Sequence, residues 1–318
     1  MDFWQITMAN KLMEKIYDLA IIGAGPAGLN ASLYASRYGM KNIIVGGVPG
    51  GLTSQIHEIG NWLGSPEISG LDFVKKTTEH VKKFGTEIVN CLVDEIKKDD
   101  GQFELFLSNG ERLQTKAVLI ATGSKHRKLG AKGEKELLGK GVSYCATCDG
   151  FFYRDKAVAV IGGSDSAVSA AVFMGDIAKK VYLIYRGEKL RAENFWIKAA
   201  QNNPKIEIIY NTNVVEMKGE DKLEQLVLDN EHKGKKYLEA DGVFIEIGFI
   251  PSTEIVKDSE MELDEFGYIK VDAGCRTSIS GIWAAGDITT GSNKFKQIIT
   301  AASEGAIAAN NIQEYLKK

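Results

Sequence analysis

Two closely spaced cysteines carry the most distinctive chemistry of this chain. Cys145 and Cys148 are separated by Ala146 and Thr147, and Asp149 follows directly. A Cys-x-x-Cys pair can close a small disulfide or open to a dithiol, and its reactivity depends on thiolate formation. The Asp149 carboxylate is placed in sequence to supply or remove the proton that such chemistry needs. The segment therefore predicts a redox-active disulfide.

Zinc binding is the main alternative use of such a pair. A structural zinc site normally takes four ligands. The two other cysteines, Cys91 and Cys275, are isolated in apolar surroundings, and the four histidines show no paired spacing. We therefore predict redox use and no metal site, with Cys91 and Cys275 as buried small apolar residues.

A nucleotide-binding pattern stands near the start of the chain. Residues 17–22 read as a buried strand, and Gly23-Ala24-Gly25-Pro26-Ala27-Gly28 follows, then a small-residue helix to about Tyr38 and a strand at 42–45. This order is the context in which G-x-G-x-x-G binds a dinucleotide, with the pyrophosphate at the helix N-terminus. The usual ribose-binding acid is absent, because the second strand runs into Gly46-Gly47.

The same order recurs in the second half of the chain. A strand at 156–161 precedes Gly162-Gly163-Ser164-Asp165-Ser166-Ala167, and the strand at 181–185 leads into Arg186. Ser164 replaces the central glycine of the motif, while Arg186 and Arg191 are suited to binding a 2′-phosphate. We predict nicotinamide nucleotide contacts at Gly162, Gly163, Ser166, Arg186 and Arg191. A domain that binds this nucleotide poorly or not at all is the alternative.

Hairpins and the short C-terminal remainder define the domain organisation. Asn109-Gly110 predicts a two-residue hairpin turn, and Gly234 lies near the bend of a second hairpin at 226–240. The segment after Pro251 is too short for a domain and must rejoin the first half. The fold class is therefore α/β, with two Rossmann-like, three-layer ββα nucleotide-binding domains. The first comprises 1–124 and 252–318, and the second, 125–251, is inserted into it and carries the cysteine pair.

Composition excludes several classes of partner. The net charge is −3, so no basic surface for nucleic acid is indicated. No apolar run reaches the roughly 18 residues that span a membrane. The first 15 residues lack the positive start and long apolar core of a signal peptide, and we expect a cytoplasmic protein.

Residues 143–153, Ser-Tyr-Cys-Ala-Thr-Cys-Asp-Gly-Phe-Phe-Tyr, resemble the redox motif of the low-molecular-weight thioredoxin reductases. These are FAD-dependent members of the pyridine nucleotide-disulfide oxidoreductase family. The resemblance covers nearly the whole chain after about Ile16. Its other motifs are Gly23 to Gly28, Gly50-Gly51, Asn61-Trp62, Ala121-Thr122-Gly123, Gly286-Asp287 and Lys296-Gln297.

The resemblance implies FAD in the discontinuous domain, a nicotinamide nucleotide in the inserted one, a homodimer, and a thioredoxin-like protein disulfide as substrate. It makes Cys148 the sulfur nearest the flavin, Cys145 the sulfur that attacks the substrate, and Asp149 the acid. The FAD contacts that it implies are Gly23, Gly25, Pro26, Ala27, Gly28, Gly50, Gly51, Asn61, Thr122, Gly123, Gly286, Asp287, Lys296, Gln297 and Ile298.

Departures from the family pattern concern the electron donor most. The family usually has His-Arg-Arg where this chain has Tyr185-Arg186-Gly187, and glycine at Ser164. We therefore predict a thioredoxin-disulfide reductase and leave its donor open between NADPH, NADH and another reductant. The alternatives are a flavin-dependent thiol oxidase and a non-enzymatic redox sensor.

Overall fold

The chain forms two compact units. The structure is a computed structural model that describes residues 15–56, 59–65, 67–99 and 101–317, without the side chains of Gln55, Cys148 and Lys294. Residues 1–14, expected to precede the first strand, lie outside this range. The discontinuous unit comprises the chain up to Lys125 and from Ile250 onward, and the inserted unit is His126–Phe249. The boundaries inferred from sequence fall at 124/125 and 251/252.

The described residues contain the following regular elements. The strands are β1 Ile16–Ile22, β2 Asn42–Val45, β3 Glu87–Val89, β4 Val93–Asp99, β5 Gln102–Leu107, β6 Arg112–Ile120, β7 Ser124–His126, β8 Val142–Ser143, β9 Ala157–Ile161, β10 Lys180–Ile184, β11 Ile206–Ile209, β12 Val214–Lys218, β13 Gln225–His232, β14 Lys235–Glu239, β15 Gly242–Ile245, β16 Phe249–Pro251 and β17 Ile282–Ala284. The α-helices are α1 Pro26–Arg37, α2 Gly70–Lys83, α3 Ala146–Asp149, α4 Asp165–Ile177, α5 Asn194–Asn202 and α6 Ile298–Leu316.

The discontinuous unit is built on a mixed sheet with the order β3-β2-β1-β6-β5-β4, and β17 also pairs with β6. Strands β1, β2, β3, β6 and β17 run parallel to one another, and β4 and β5 form an antiparallel extension of β6. Leu19 and Ile21 pack towards α1 and α6, whereas Ala20 and Ile22 pack with Phe103 on the opposite face. Burial on both faces explains why β1 is continuously apolar.

The inserted unit repeats this layering. Its parallel sheet has the order β11-β10-β9-β15-β8, and β12-β13-β14 form a separate antiparallel sheet. Val158 and Val160 pack with α4, while Ala159 and Ile161 pack with Leu226 of the antiparallel sheet. Each unit therefore packs helices on one face of its parallel strands and residues of antiparallel strands on the other, which confirms the predicted α/β fold class.

One backbone contact recurs in the two units. A Cβ on Gly23, directly after β1, would lie 2.2 Å from the carbonyl oxygen of Ala121, directly after β6. A Cβ on Gly162, directly after β9, would lie 2.2 Å from the carbonyl oxygen of Glu246, directly after β15. The Ala121 and Glu246 amides donate back to the last residues of β1 and β9, each at 2.8 Å. Ala121 and Glu246 are therefore equivalent positions of a structural repeat.

The first hairpin differs from the predicted two-residue turn. Gly110 N–H donates to Leu107 O at 2.8 Å, and Leu107 N–H donates to Glu111 O at 2.9 Å, so Ser108, Asn109 and Gly110 form a three-residue loop. Gly110 has φ +84°, whereas Asn109 has no positive φ. A two-residue type I′ turn needs positive φ at both central residues. The prediction of a two-residue turn was wrong, because Asn109 takes the second central position of a type I turn, which does not need positive φ.

We predict unequal costs for two substitutions in this loop. Gly110→Ala should lower the free energy of unfolding by about 1–2 kcal/mol, because alanine is strained at positive φ. Asn109→Ala loses only exposed side-chain bonds to Glu111 and should cost less than about 1 kcal/mol. Urea denaturation of the purified variants measures both values. Equal costs would instead indicate the two-residue turn.

Candidate functional site

The first glycine motif forms an open cradle in the discontinuous unit. α1 begins at Pro26, and its N-cap Gly25 has extended backbone with no side chain capping the first turn. A Cβ on Gly28 would lie 2.0 Å from Gly23 O, so glycine is required there for the helix to pack on the loop. By contrast, a Cβ on Gly25 would meet no protein atom within 4 Å. Free N–H groups next to open space fit the pyrophosphate of a dinucleotide.

Other predicted FAD contacts lie around this cradle. Gly50 N–H donates to Ala24 O at 2.8 Å, which brings the Gly50-Gly51 turn to the glycine loop. Asn61 Nδ2 donates to Gln297 Oε1 at 2.9 Å, although these residues are far apart in sequence. Thr122 Oγ1 donates to Ser252 O at 2.8 Å beside Gly123. Gln297 is the N-cap of α6, and Ile298 is its first residue.

The segment after β17 adds a carboxylate to the same edge of the sheet. β1, β6 and β17 are parallel, so Gly23, Thr122 and Asp287 all follow strands at their carboxyl ends. Burial raises the pKa of Asp287 above its ordinary range, Lys296 opposes that rise and Glu304 adds to it. The Asp287 carboxylate accepts no hydrogen bond from the described residues, so it is available to a ligand hydroxyl.

Glu304 is a buried acid that sequence reasoning missed. Its Oε2 accepts hydrogen bonds from Gly286 N–H at 2.8 Å and Thr289 Oγ1 at 3.0 Å. It is 6% exposed and lies in α6 among small residues. A single acid on the small-residue face of a helix was the available signal. Glu304 therefore fixes the turn that carries Asp287.

The predicted redox segment lies in the inserted unit, at the end of β8. Cys145 is half-buried and disulfide-bonded, and the Cys148 side chain lies outside the described part of the chain. Cys145 N–H donates to Ser143 Oγ at 3.0 Å, and Asp149 N–H donates to Cys145 O at 3.2 Å. Thr147 Oγ1 lies 3.4 Å from Cys145 Sγ. These contacts give the segment the short turn of α3.

α3 packs against the helix that starts at the second glycine motif. A Cβ on Gly150 would lie 2.7 Å from Met174 Sδ of α4, so the chain after α3 needs glycine there. Ser164 is the N-cap residue of α4 and has φ −96° and ψ −178°, close to the −79° and −177° of Gly25, and its side chain makes no capping hydrogen bond. The serine thus takes the backbone conformation of the glycine that it replaces. The equivalent position in the first motif, Gly25, has open space where the Ser164 side chain lies.

Tyr185 fills the space beside the second glycine motif. A Cβ on Gly163 would lie 2.4 Å from its ring, and a Cβ on Gly187 would lie 2.7 Å from its Cε1. The guanidinium carbon of Arg191 is 5.9 Å from the centre of the ring. Arg191 N–H also donates to Gly163 O at 2.7 Å. Arg191 therefore lies next to the glycine loop, and Arg186 is exposed at the strand end.

The two remaining cysteines belong to the discontinuous unit. Cys91 and Cys275 are free and buried, as predicted. Burial raises the pKa of the Cys275 thiol to about 12. Within the described ranges, no group of three or more His, Cys, Asp or Glu side chains is placed to hold a metal ion. No helix in those ranges is both long and apolar enough to cross a membrane.

Comparison with known proteins identifies the family. The family model of the pyridine nucleotide-disulphide oxidoreductases matches residues 17–305. The chain belongs to this family. Its curated relatives include the thioredoxin reductase of Helicobacter pylori (strain J99), which is 41% identical over 309 residues, or 94% of this chain and 99% of that protein.

Solved structures of similar proteins agree with this assignment. Lactococcus lactis thioredoxin reductase (FR conformation) has a TM-score of 0.86 at 36% identity, over 95% of this chain and 99% of that one. The thioredoxin reductase of T. acidophilum has a TM-score of 0.85 at 38% identity, over 95% and 99%. Family membership confirms the predicted oxidoreductase class and the FAD cofactor, and it supports NADPH as electron donor.

We predict that two glycines of the first motif respond differently to alanine. Gly23→Ala should prevent stable folding, because its Cβ would overlap Ala121 O and its φ is +116°. Gly25→Ala should fold with wild-type cooperativity but retain less FAD, since the new methyl group occupies the open space of the cradle. The flavin-to-protein absorbance ratio and a thermal melt measure the two effects. Full FAD retention by Gly25→Ala would contradict this use of the cradle.

Proposed function

We propose that this protein is a thioredoxin-disulfide reductase that uses FAD and NADPH. The observation that carries the proposal is the disulfide-bonded Cys145 at the carboxyl edge of the inserted unit's sheet, in a chain of the pyridine nucleotide-disulphide oxidoreductase family. The test is steady-state reduction of a thioredoxin by the purified holoenzyme with NADPH. A holoenzyme that oxidises added dithiols with oxygen uptake, and leaves thioredoxin oxidised, would refute it.

The two units are proposed to bind different nucleotides. The open cradle at Gly25 and the partly buried Asp287 carboxylate at the same sheet edge support FAD binding by the discontinuous unit. Gly162, Gly163 and Ser166, with Arg186 and Arg191 beside them, support nicotinamide nucleotide binding by the inserted unit. When bound, FAD supplies the two-electron redox chemistry, and the protein orients the groups that exchange electrons.

Reduction of the Cys145–Cys148 disulfide is the proposed central step. Two electrons and one proton break the S–S bond and leave one thiol and one thiolate. We assign Cys145 to attack on the substrate disulfide, Cys148 to the flavin side and Asp149 to proton transfer, by their positions in the family motif. The Thr147 hydroxyl lies 3.4 Å from Cys145 Sγ, within hydrogen-bond distance for sulfur. It is therefore placed to donate to the Cys145 thiolate.

A protein partner and a second copy of the chain complete the proposal. Phe152, three residues after Asp149, is 74% exposed and offers apolar surface to a thioredoxin-like protein. Leu63, Leu71 and Leu92 of the discontinuous unit are also exposed, and their burial would favour a homodimer. The free thiols of Cys91 and Cys275 are consistent with a reducing, cytoplasmic location.

We predict distinct phenotypes for the three residues of the redox motif. Cys148→Ser should abolish thioredoxin reduction and keep FAD bound. Cys145→Ser should be equally inactive, but its remaining Cys148 thiolate should give a long-wavelength charge-transfer band. Asp149→Asn should slow turnover by roughly 10²–10⁴-fold, as expected for a lost general acid. Absorbance spectra and steady-state rates measure these effects, and a charge-transfer band in Cys148→Ser would reverse the roles of the two sulfurs.

We predict that NADPH is the better nicotinamide donor but binds weakly. Arg186 and Arg191 favour a 2′-phosphate. Gly187, however, stands where the family pattern has a second arginine. The loss of that one guanidinium contact costs about 1.5–3 kcal/mol of binding free energy, or roughly 10–150-fold in affinity for NADPH. An arginine at 187 requires a smaller residue than Tyr185, because the added Cβ would overlap the ring. The variant with Ser164→Gly, Tyr185→His and Gly187→Arg should therefore bind NADPH more tightly.

Anaerobic titration of the flavin with NADPH, NADH and reduced ferredoxin measures this difference. Lys189→Ala, which removes an exposed lysine of the same loop, is the control and should leave all three titrations unchanged. Low-micromolar NADPH binding by the unmodified protein, or no gain in the triple variant, would show that these positions do not control the donor.

A further inference from the structure

Glu246 lies where three strands of the inserted unit end together. It follows β15, which is paired in parallel with β9 on one side and β8 on the other. β9 leads into Gly162 and β8 leads towards Cys145, so the glycine loop and the redox segment flank Glu246. Its N–H donates to Ile161 O at 2.8 Å, and its carbonyl oxygen lies against Gly162. The backbone of Glu246 is therefore fixed by the glycine loop.

The side chain of Glu246 reaches the redox segment. Its carboxylate accepts a hydrogen bond from Ala146 N–H, and Ala146, directly after Cys145, is 1% exposed. Burial raises the pKa of Glu246 to about 7, and the bond from Ala146 opposes that rise. The acid is thus held one residue from a disulfide-bonded cysteine, in an environment where gain or loss of a proton occurs near neutral pH.

The fold itself does not require an acid at this position. The equivalent residue of the discontinuous unit is Ala121, which makes the same backbone contacts after β6. Withdrawing a carboxyl group from water is costly unless its partners compensate. The difference between the two repeats is that only the inserted unit carries a redox segment beside this position.

We propose that Glu246 is a positioning residue of the redox pair, which holds the Cys145 segment through the Ala146 amide and takes up a proton when the disulfide is reduced. This inference rests on the proposed function. It adds a second carboxyl group to the redox centre besides Asp149, and it links the redox state of the cysteines to the protonation of Glu246.

The proton balance follows from charge. Reduction breaks the S–S bond with two electrons, supplied through FAD, and one proton, and it leaves a negative thiolate. A new negative charge nearby disfavours the ionised carboxylate, so Glu246 takes a proton from solvent. When the dithiol reduces a partner disulfide, the negative charge is removed and Glu246 releases that proton. The titratable groups on the flanking segments are Tyr144, Cys145, Cys148 and Asp149 after β8, and Asp165 after β9.

The test measures thiolate formation in the reduced holoenzyme. Wild type and Glu246→Gln are reduced, freed of reductant anaerobically and alkylated with iodoacetamide between pH 5.5 and 9. Trypsin releases both cysteines in the peptide 141–154, which contains no other cysteine and is quantified by mass spectrometry. Glu246→Gln retains a hydrogen-bond acceptor for Ala146 but binds no proton. We expect its profile to move to lower pH, with roughly fivefold faster alkylation near pH 8, where the wild-type Glu246 is ionised and opposes the thiolate.

Two further variants separate charge from packing. Glu246→Ala, which copies the alanine found naturally at the equivalent position 121, should show the same shift, and Glu239→Gln, an exposed acid of the same unit, should show none. The proposal would be overturned if the alkylation profiles of Glu246→Gln and wild type coincide. This holds even if Glu246→Ala differs from both, because the shift would then come from packing and not from charge. Alkylation needs no thioredoxin, so a wild-type enzyme that fails to reduce thioredoxin would count against the proposed function alone. Bound flavin absorbance confirms that each variant is folded.

Discussion

The close approach of a glycine loop to the neighbouring parallel strand is the constraint on which both units depend. In each unit, a glycine follows the first strand of the motif and lies against a backbone carbonyl oxygen at the end of the neighbouring parallel strand. A Cβ on that glycine would lie 2.2 Å from the oxygen. Gly23 and Gly162 remove that overlap. The following helix can then begin at the strand end with its N–H groups facing the space where a dinucleotide pyrophosphate binds.

Helix packing in the discontinuous unit obeys the same limit. A Cβ on Gly305 of α6 would lie 2.1 Å from Ala27 O of α1, so α6 reaches α1 only because glycine stands at the contact. This close packing brings the C-terminal helix, with Gln297 at its start, to the cradle formed near the N-terminus. Residues from both ends of the chain thereby contribute to one candidate FAD site, although the inserted unit separates them in sequence.

One acid in each unit accepts a hydrogen bond from a backbone amide beside a residue of the candidate site. Glu304 accepts from Gly286 N–H beside Asp287, and Glu246 accepts from Ala146 N–H beside Cys145. Burial raises the pKa of Glu246 to about 7, which adds the proposed proton exchange to its structural role. Both acids are placed to fix short turns that carry chemistry, and a fixed turn limits the rearrangement needed when a ligand binds or a disulfide opens.

Local patterns in the sequence determined the elements and much of the candidate site. Strand, glycine motif and helix appear where apolar runs and small residues predicted them, and the Cys145 segment with its redox character could be read from four adjacent positions. Contacts between distant residues could not be read in this way. The pairing of Asn61 with Gln297, the ring of Tyr185 beside Gly187 and the approach of Glu246 to Ala146 each depend on which strands become neighbours. Strand order is set by the packing of whole sheets and helices, and the spacing of residues along the chain does not encode it locally.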